Sequence, residues 1–136
     1  MAGHGGAHRR SEYMNKLRIV CAVLLALPLL VFGSNYFLHV FPLPPGDGSA
    51  GARLLQAMRD GGLMSAIAFS HVVAGVLLVV PRTRFLGAIL QLPMSIGIVA
   101  FHVTMMPAGL VLGGVLLLLN LAVLADPPRW RCLVER

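Results

Sequence analysis

Residues 85–125 read FLGAILQLPMSIGIVAFHVTMMPAGLVLGGVLLLLNLAVLA and contain no Asp, Glu, Lys or Arg. One helical crossing of a hydrocarbon core about 30 Å thick needs roughly 20 apolar residues, so this stretch is about two crossings long. Pro107 stands near its middle, and a proline there favours a turn over a continuous rod. The stretch is therefore expected to form a helical hairpin. Span three covers 85–106, Pro107-Ala108 makes the turn, and span four covers 109–125 before Asp126-Pro127-Pro128 ends it. Long uninterrupted apolar runs without two-residue alternation speak against a transmembrane β-barrel.

Working outward, residues 19–41 carry no charge and form span one, preceded by a glycine-rich, basic N-terminal tail over 1–18. A cleavable signal peptide is the competing reading. The apolar stretch is too long for one, and no small-residue cleavage pattern follows it. Pro42-Leu43-Pro44-Pro45-Gly46-Asp47-Gly48 breaks the helix, since proline lacks a donor and glycine permits the turn. Beyond it, Leu54, Leu55 and Met58 gather on one side of a short helix whose other sides carry Arg53, Gln56, Arg59 and Asp60, the pattern of a helix lying at the membrane interface. Gly61-Gly62 leads into span two, 63–80, closed by Pro81. The expected architecture is all-α: a four-helix transmembrane domain over 19–125 with one short interfacial helix, and a C-terminal tail over 126–136.

The composition agrees with a bilayer-embedded chain. Its 136 residues are 57% hydrophobic and only 12% charged, against roughly 45–50% apolar and about 25% charged in soluble domains. That excludes a large soluble catalytic domain. Eleven Lys and Arg against five Asp and Glu give a net charge of +6. In a soluble protein such an excess suggests nucleic acid; here it fits loops facing anionic lipid, and no nucleic-acid partner is expected. Four spans place both termini on one side. Arg9, Arg10, Lys16, Arg18, Arg82, Arg84, Arg129, Arg131 and Arg136 fall on that side, and only Arg53 and Arg59 on the other. This puts both termini in the cytoplasm of a cell whose inner membrane holds the chain. Tyr13 and Trp130 fit interfacial anchors. Cys21 and Cys132 give neither zinc spacing nor a redox pair.

The spans contain Asn35, His39, His71, Gln91, Ser95, His102, Thr104 and Asn120, and no formal charge. Helical rise puts His39 and His102 within about 3–6 Å of the outer boundary, Asn35 about a turn deeper and His71 near the middle. Asn35 and His39, four residues apart, share a face, and Gln91, Ser95, Ile98 and His102 make a stripe along span three. Two readings are open for Asn35, His39, His71 and His102: helix-joining hydrogen bonds, or a shallow pocket for a small headgroup such as a quinone carbonyl. Gln91 and Asn120 fall at similar depth nearer the inner boundary and are expected to make helix–helix polar contacts. Haem held between two histidines is disfavoured, because no attachment motif is present and the candidate pair lies close to the surface. His4 and His8 would chelate a metal only if helical, and Gly3, Gly5 and Gly6 favour a flexible, solvated tail, so no metal site is expected. Gly75, Gly87, Gly97, Gly113 and Gly114 are candidates for close helix approach, and Pro28 and Pro93 for kinks.

Phe32-Gly33-Ser34-Asn35-Tyr36-Phe37-Leu38-His39 followed by Phe41-Pro42-Leu43-Pro44-Pro45, then Val72-Val73-Ala74-Gly75-Val76-Leu77-Leu78, then Phe101-His102, resemble in order the DoxX-like family of small bacterial four-helix membrane proteins. The resemblance covers residues 17–126. Family members often carry a glutamate just before the Val-Val-Ala-Gly stretch, where this chain has His71. The resemblance implies work beside quinone-linked or thiol-linked redox systems, usually alongside partner subunits, with no agreed catalytic residues.

A thiol oxidoreductase needs paired cysteines at the oxidising face, and a proton-coupled exporter a membrane carboxylate; the sequence offers neither. Two expectations survive. One is a non-catalytic accessory or stabilising subunit of a larger redox or energy-converting membrane complex, respiratory or photosynthetic. The other is a quinone-binding or electron-transfer component using Asn35, His39 and His102. Binding is better supported than catalysis.

Overall fold

A computed structural model describes residues 4–42 and 46–125, with the side chains of Arg9 and of the described residues from Ser11 onward. The expected C-terminal tail over 126–136, with Trp130 and Cys132, lies outside the described residues, as do 43–45 of the proline-rich loop. All the regular elements among the described residues are helical. They are α1 (His4–Leu38), α2 (Ala50–Asp60), α3 (Leu63–Val79), α4 (Arg84–Thr104) and α5 (Leu110–Leu124), with a 3-10 turn at Pro107–Gly109 leading into α5.

Three segments are long and apolar enough to cross a membrane: Ser11–Leu38 within α1, Arg84–Thr104, and Pro107–Leu124. The pair α2 and α3 qualifies only together, and the two are bent by 85°. The bend sits at Gly61-Gly62. Gly62 adopts φ +77°, a left-handed conformation that side chains with a Cβ seldom take. Alone, α3 is 17 residues long, or about 25 Å of rise.

In the bundle, α1 packs against α3 and α5, and α4 packs against the same two, so that α1 and α4 face each other across the diagonal. The core combines small residues with leucine: Ala22, Leu25, Ala26 and Leu29 from α1, Ala74 and Leu78 from α3, Ala88 from α4, and Leu116, Val123 and Leu124 from α5. The outside carries the large apolar side chains, with Phe32 and Phe69 each 63% exposed, Leu118 68% and Val111 80%. Meanwhile Asn35, Gln91, Ser95 and Asn120 are buried. Apolar residues outside and amides inside invert the arrangement of a water-soluble fold and suit lipid as the solvent.

Small residues set the helix spacing at three points. A Cβ at Gly75 would meet Leu30 Cγ at 2.7 Å, and one at Gly87 would meet Leu78 N at 2.9 Å and Ala74 O at 3.0 Å. Gly33 belongs with them, since a Cβ there would lie 3.0 Å from Ala68 O. On α5, a Cβ at Gly113 would meet Ile98 Cγ2 at 3.1 Å and His102 Cδ2 at 3.4 Å. Gly97 and Gly114 do not take part: nothing lies within 4 Å of a Cβ at either position. They fall on outward arcs of α4 and α5, where glycine spacing alone gives no packing.

The helix limits differ from the sequence expectation in instructive ways. In place of a flexible tail over 4–18, α1 begins at His4 and runs unbroken through Pro28 to Leu38. Once a long span has nucleated a helix, adding residues costs little, and an exposed Glu12–Lys16 pair at 2.8 Å lies one turn apart on the extension. Span one ends at Leu38 instead of Phe41, because Asn35 draws the chain out of the helix before the prolines. Span three ends at Thr104 instead of Met106. At the other end of the bundle, Arg18 donates to Ala125 O at 2.5 Å. That bond ties α1, where its apolar stretch begins, to the last carbonyls of α5.

Candidate functional site

The polar side chains within the bundle form two groups. The first crosses helices. His71 Nδ1 on α3 lies 3.2 Å from Gln91 Oε1 on α4. An amide oxygen only accepts, so the imidazole donates from Nδ1 and keeps Nε2 as an acceptor. Gln91 Nε2 in turn donates to Ser95 Oγ at 3.5 Å, one turn along α4. Asn120 on α5 reaches the same hydroxyl at 3.1 Å. With its amide oxygen toward Ser95, Asn120 accepts from the hydroxyl and from Leu92 N at 3.2 Å, while its nitrogen donates to Ala88 O at 2.9 Å. In this orientation the amide oxygen faces two donors and the nitrogen an acceptor. The result is a one-directional chain from His71 through Gln91 and Ser95 to Asn120, joining α3, α4 and α5, and Gln91, Ser95 and Asn120 are fully buried.

Ala88 O and Leu92 N are hydrogen-bond partners within one turn of α4, so Asn120 on α5 brackets a single turn of the neighbouring helix.

The second group lies at the helix ends and folds back on its own chain. Asn35 Nδ2 donates to Phe41 O at 3.1 Å, and Asn35 Oδ1 accepts from Phe41 N at 2.7 Å. Its amide thus imitates a backbone pair and closes the C-terminus of α1. His39, at φ +52°, makes the left-handed turn there. Its backbone N–H bonds to Asn35 O at 2.8 Å, while its exposed ring places Nδ1 3.2 Å from Phe37 O. His102 places Nδ1 2.8 Å from Met106 O, holding the chain as it leaves α4. Its ring is edge-on to Phe101 and fills the space over Gly109, where a Cβ would overlap the imidazole.

The structure thus joins His71, Gln91 and Asn120 through Ser95, and engages Asn35, His39 and His102 each with its own backbone instead of with one another. Asn35 on α1, with His39 just past its end, stands across the bundle diagonal from His102 on α4. Among the described residues no three His, Cys, Asp or Glu side chains cluster as metal ligands. Ser95 is the hub, a role that the sequence reading does not assign to it. It belongs to the span-three stripe, four residues from Gln91, but the reach of Asn120 from another helix has no sequence signal. Outside the bundle, Asp47 accepts from Ser49 N at 2.9 Å, and its contacts with Ser49 hold its carboxyl below the usual range. Ser49 caps α2 through Ala52 N. No family model, curated protein or solved structure matches the chain.

Proposed function

We propose that this chain is a DoxX-like, four-span subunit of the bacterial cytoplasmic membrane that packs, without catalysing a reaction, against a larger redox or energy-converting complex and stabilises it. In this reading α3 is the fourth span, and α2 lies in the interface with Arg53, Gln56 and Asp60 toward water. Both termini are cytoplasmic, in keeping with the distribution of basic residues. The reading is carried by one observation: the interhelical chain His71–Gln91–Ser95–Asn120 uses the deep polar groups for joining helices. Such bonds are worth roughly 0.6–2 kcal/mol each in lipid, which suits a rigid packing element. The broad apolar faces, among them Leu118 and Val111 on α5, are available to lipid or to other subunits.

A quinone pocket built from Asn35, His39 and His102 has less support, because each of these side chains bonds a backbone group of its own chain. The resemblance, more than any residue, directs the reading toward redox complexes. Purification of the native protein in mild detergent tests it. Stoichiometric larger membrane subunits are expected to accompany the chain; a monodisperse tetraspan free of partners would refute the accessory role. Extracted quinone content compared between wild type, His39→Ala and His102→Ala separates the second reading, and is expected to be unchanged.

A further inference from the structure

We propose that Arg59, on the face of α2 turned toward the bundle, binds a phosphate group. The proposal takes from the preceding reading only the interfacial placement of α2, and it needs no partner subunit. The 85° bend at Gly61-Gly62 sets α2 across the end of α3, so with α3 upright in the bilayer α2 runs along the membrane plane. A Cβ at Gly51 would meet Met105 O at 3.2 Å and Phe101 Cζ at 3.4 Å, so that arc of α2 rests on the end of α4. Leu55 and Arg59 follow Gly51 at four-residue intervals on the same arc. Both are partly buried, whereas Arg53, Gln56, Ala57 and Asp60 are exposed. Arg59 therefore lies with Leu55 on the membrane side of α2, and the charged residues around it in sequence lie on the water side.

The other partly buried arginines of described side chain are anchored to helix C-termini. Arg18 donates to Ala125 O and Arg84 Nε to Leu78 O at 3.1 Å. Even the exposed Arg53 reaches Gly48 O at 3.2 Å. Arg59 differs: its Nε is closed off from solvent and has no acceptor among the described residues. Arg18 Nε is covered in the same way, but that guanidinium is held at Ala125. The acidic residues on this side of the bundle are engaged elsewhere. Asp60 accepts from Gln56 Nε2 at 2.8 Å, and Asp47 from Ser49 N at 2.9 Å. The C-terminus of α2 offers Arg59 about half an elementary charge of dipole, but Ala57 O and Arg59 O already accept from the Gly61 N–H. A covered guanidinium N–H without an acceptor calls for a partner outside the chain. Nε and a terminal nitrogen form a fork that fits two oxygens of one phosphate. A carboxylate would fit the same fork, but on the membrane side of an interfacial helix the oxyanion at hand is a phospholipid headgroup.

The test compares the full chain, delipidated in detergent, with Arg59→Gln and with Arg53→Gln, which removes the same charge from the water side of the same helix. Native mass spectrometry with added phosphatidylglycerol is expected to show a single retained lipid on wild type and on Arg53→Gln, and binding about tenfold weaker in Arg59→Gln. Phosphatidylglycerol should raise the unfolding temperature of wild type more than that of Arg59→Gln. Without lipid, Arg59→Gln should unfold no more readily than wild type, because it removes a charge that has no partner in the protein. Inorganic phosphate is the second probe. Protection by it alone, with the same dependence on Arg59, keeps the site and assigns it to a soluble phosphate. Equal weakening by Arg53→Gln, binding of neither probe by wild type, or a lipid-free Arg59→Gln protein less stable than wild type overturns the site. Each of these leaves the accessory reading standing, and a partner-free chain in mild detergent would refute that reading without touching this one.

Discussion

The deep polar layer of the bundle and the polar groups at its helix ends use the same residue types, an amide and an imidazole in each, to opposite ends. In the deep layer Gln91, Ser95 and Asn120 are fully buried, and bonds cross between helices from His71 to Gln91 and between Ser95 and Asn120. At the ends Asn35, His39 and His102 bond backbone atoms two to six residues away. The difference follows from what each location lacks. A helix end has orphan carbonyls and N–H groups that a nearby side chain can satisfy. In a helix centre the backbone groups are paired with one another; a short hydroxyl such as Ser70 can share the carbonyl one turn back, Ala66 O at 2.9 Å, but an amide finds its partners on a neighbouring helix or remains unsatisfied in hydrocarbon. Deep polar residues therefore couple helices, and terminal ones shape loops.

Four substitutions sharpen or break this contrast. The largest effect is expected for Gln91→Ala, which opens a cavity and strips partners from both His71 and Ser95; about 2–4 kcal/mol of unfolding free energy should be lost in detergent titrations. Asn120→Leu should cost about 1–2 kcal/mol, and hydrogen exchange should show the Leu92 amide losing protection, because its contact with Asn120 is gone. Asn35→Ala should cost about 1 kcal/mol, with proteolysis rising in the loop between α1 and α2 while α4 and α5 remain as protected as in wild type. Loosening of α4 and α5 by that change would erase the distinction between the two regions. The smallest effect belongs to His39→Gly. It relieves a left-handed conformation worth roughly 1–2 kcal/mol but adds freedom to the unfolded chain, so unfolding should shift by no more than about 1 kcal/mol, toward stability.

The helical, lipid-suited character of the chain is legible in 85–125 alone, because an uncharged apolar stretch of that length matches two bilayer crossings and far exceeds a single buried helix of a soluble domain. The end points of the helices are less so. Pro42 announces that α1 must stop, but the stop at Leu38 is made by Asn35 reaching forward to Phe41, and a side chain that caps its own helix looks in sequence like one facing a partner. The start at His4 is hidden by Gly5 and Gly6, whose low helix propensity is a local property, whereas the long span behind them drives propagation. Glycines are ambiguous for a similar reason. Gly33, Gly75 and Gly87 seat neighbouring helices while Gly97 and Gly114 face outward, and only the rotation of each helix in the bundle separates the two kinds. The depth of Gln91 and Asn120 is readable from helical rise, but Ser95 as their meeting point needs the relative rotation of α4 and α5.

The claim that deep polar residues fasten the helices is tested most directly by a double-mutant cycle on Gln91→Leu and Asn120→Leu, read as unfolding free energy in detergent. Both side chains act through Ser95. Once one is removed, the second should cost less, and the double variant should be more stable than the sum of the single losses by about 0.5–1.5 kcal/mol. Strict additivity would contradict the account, because it would mean that Gln91 and Asn120 sit in one layer without sharing a bond network.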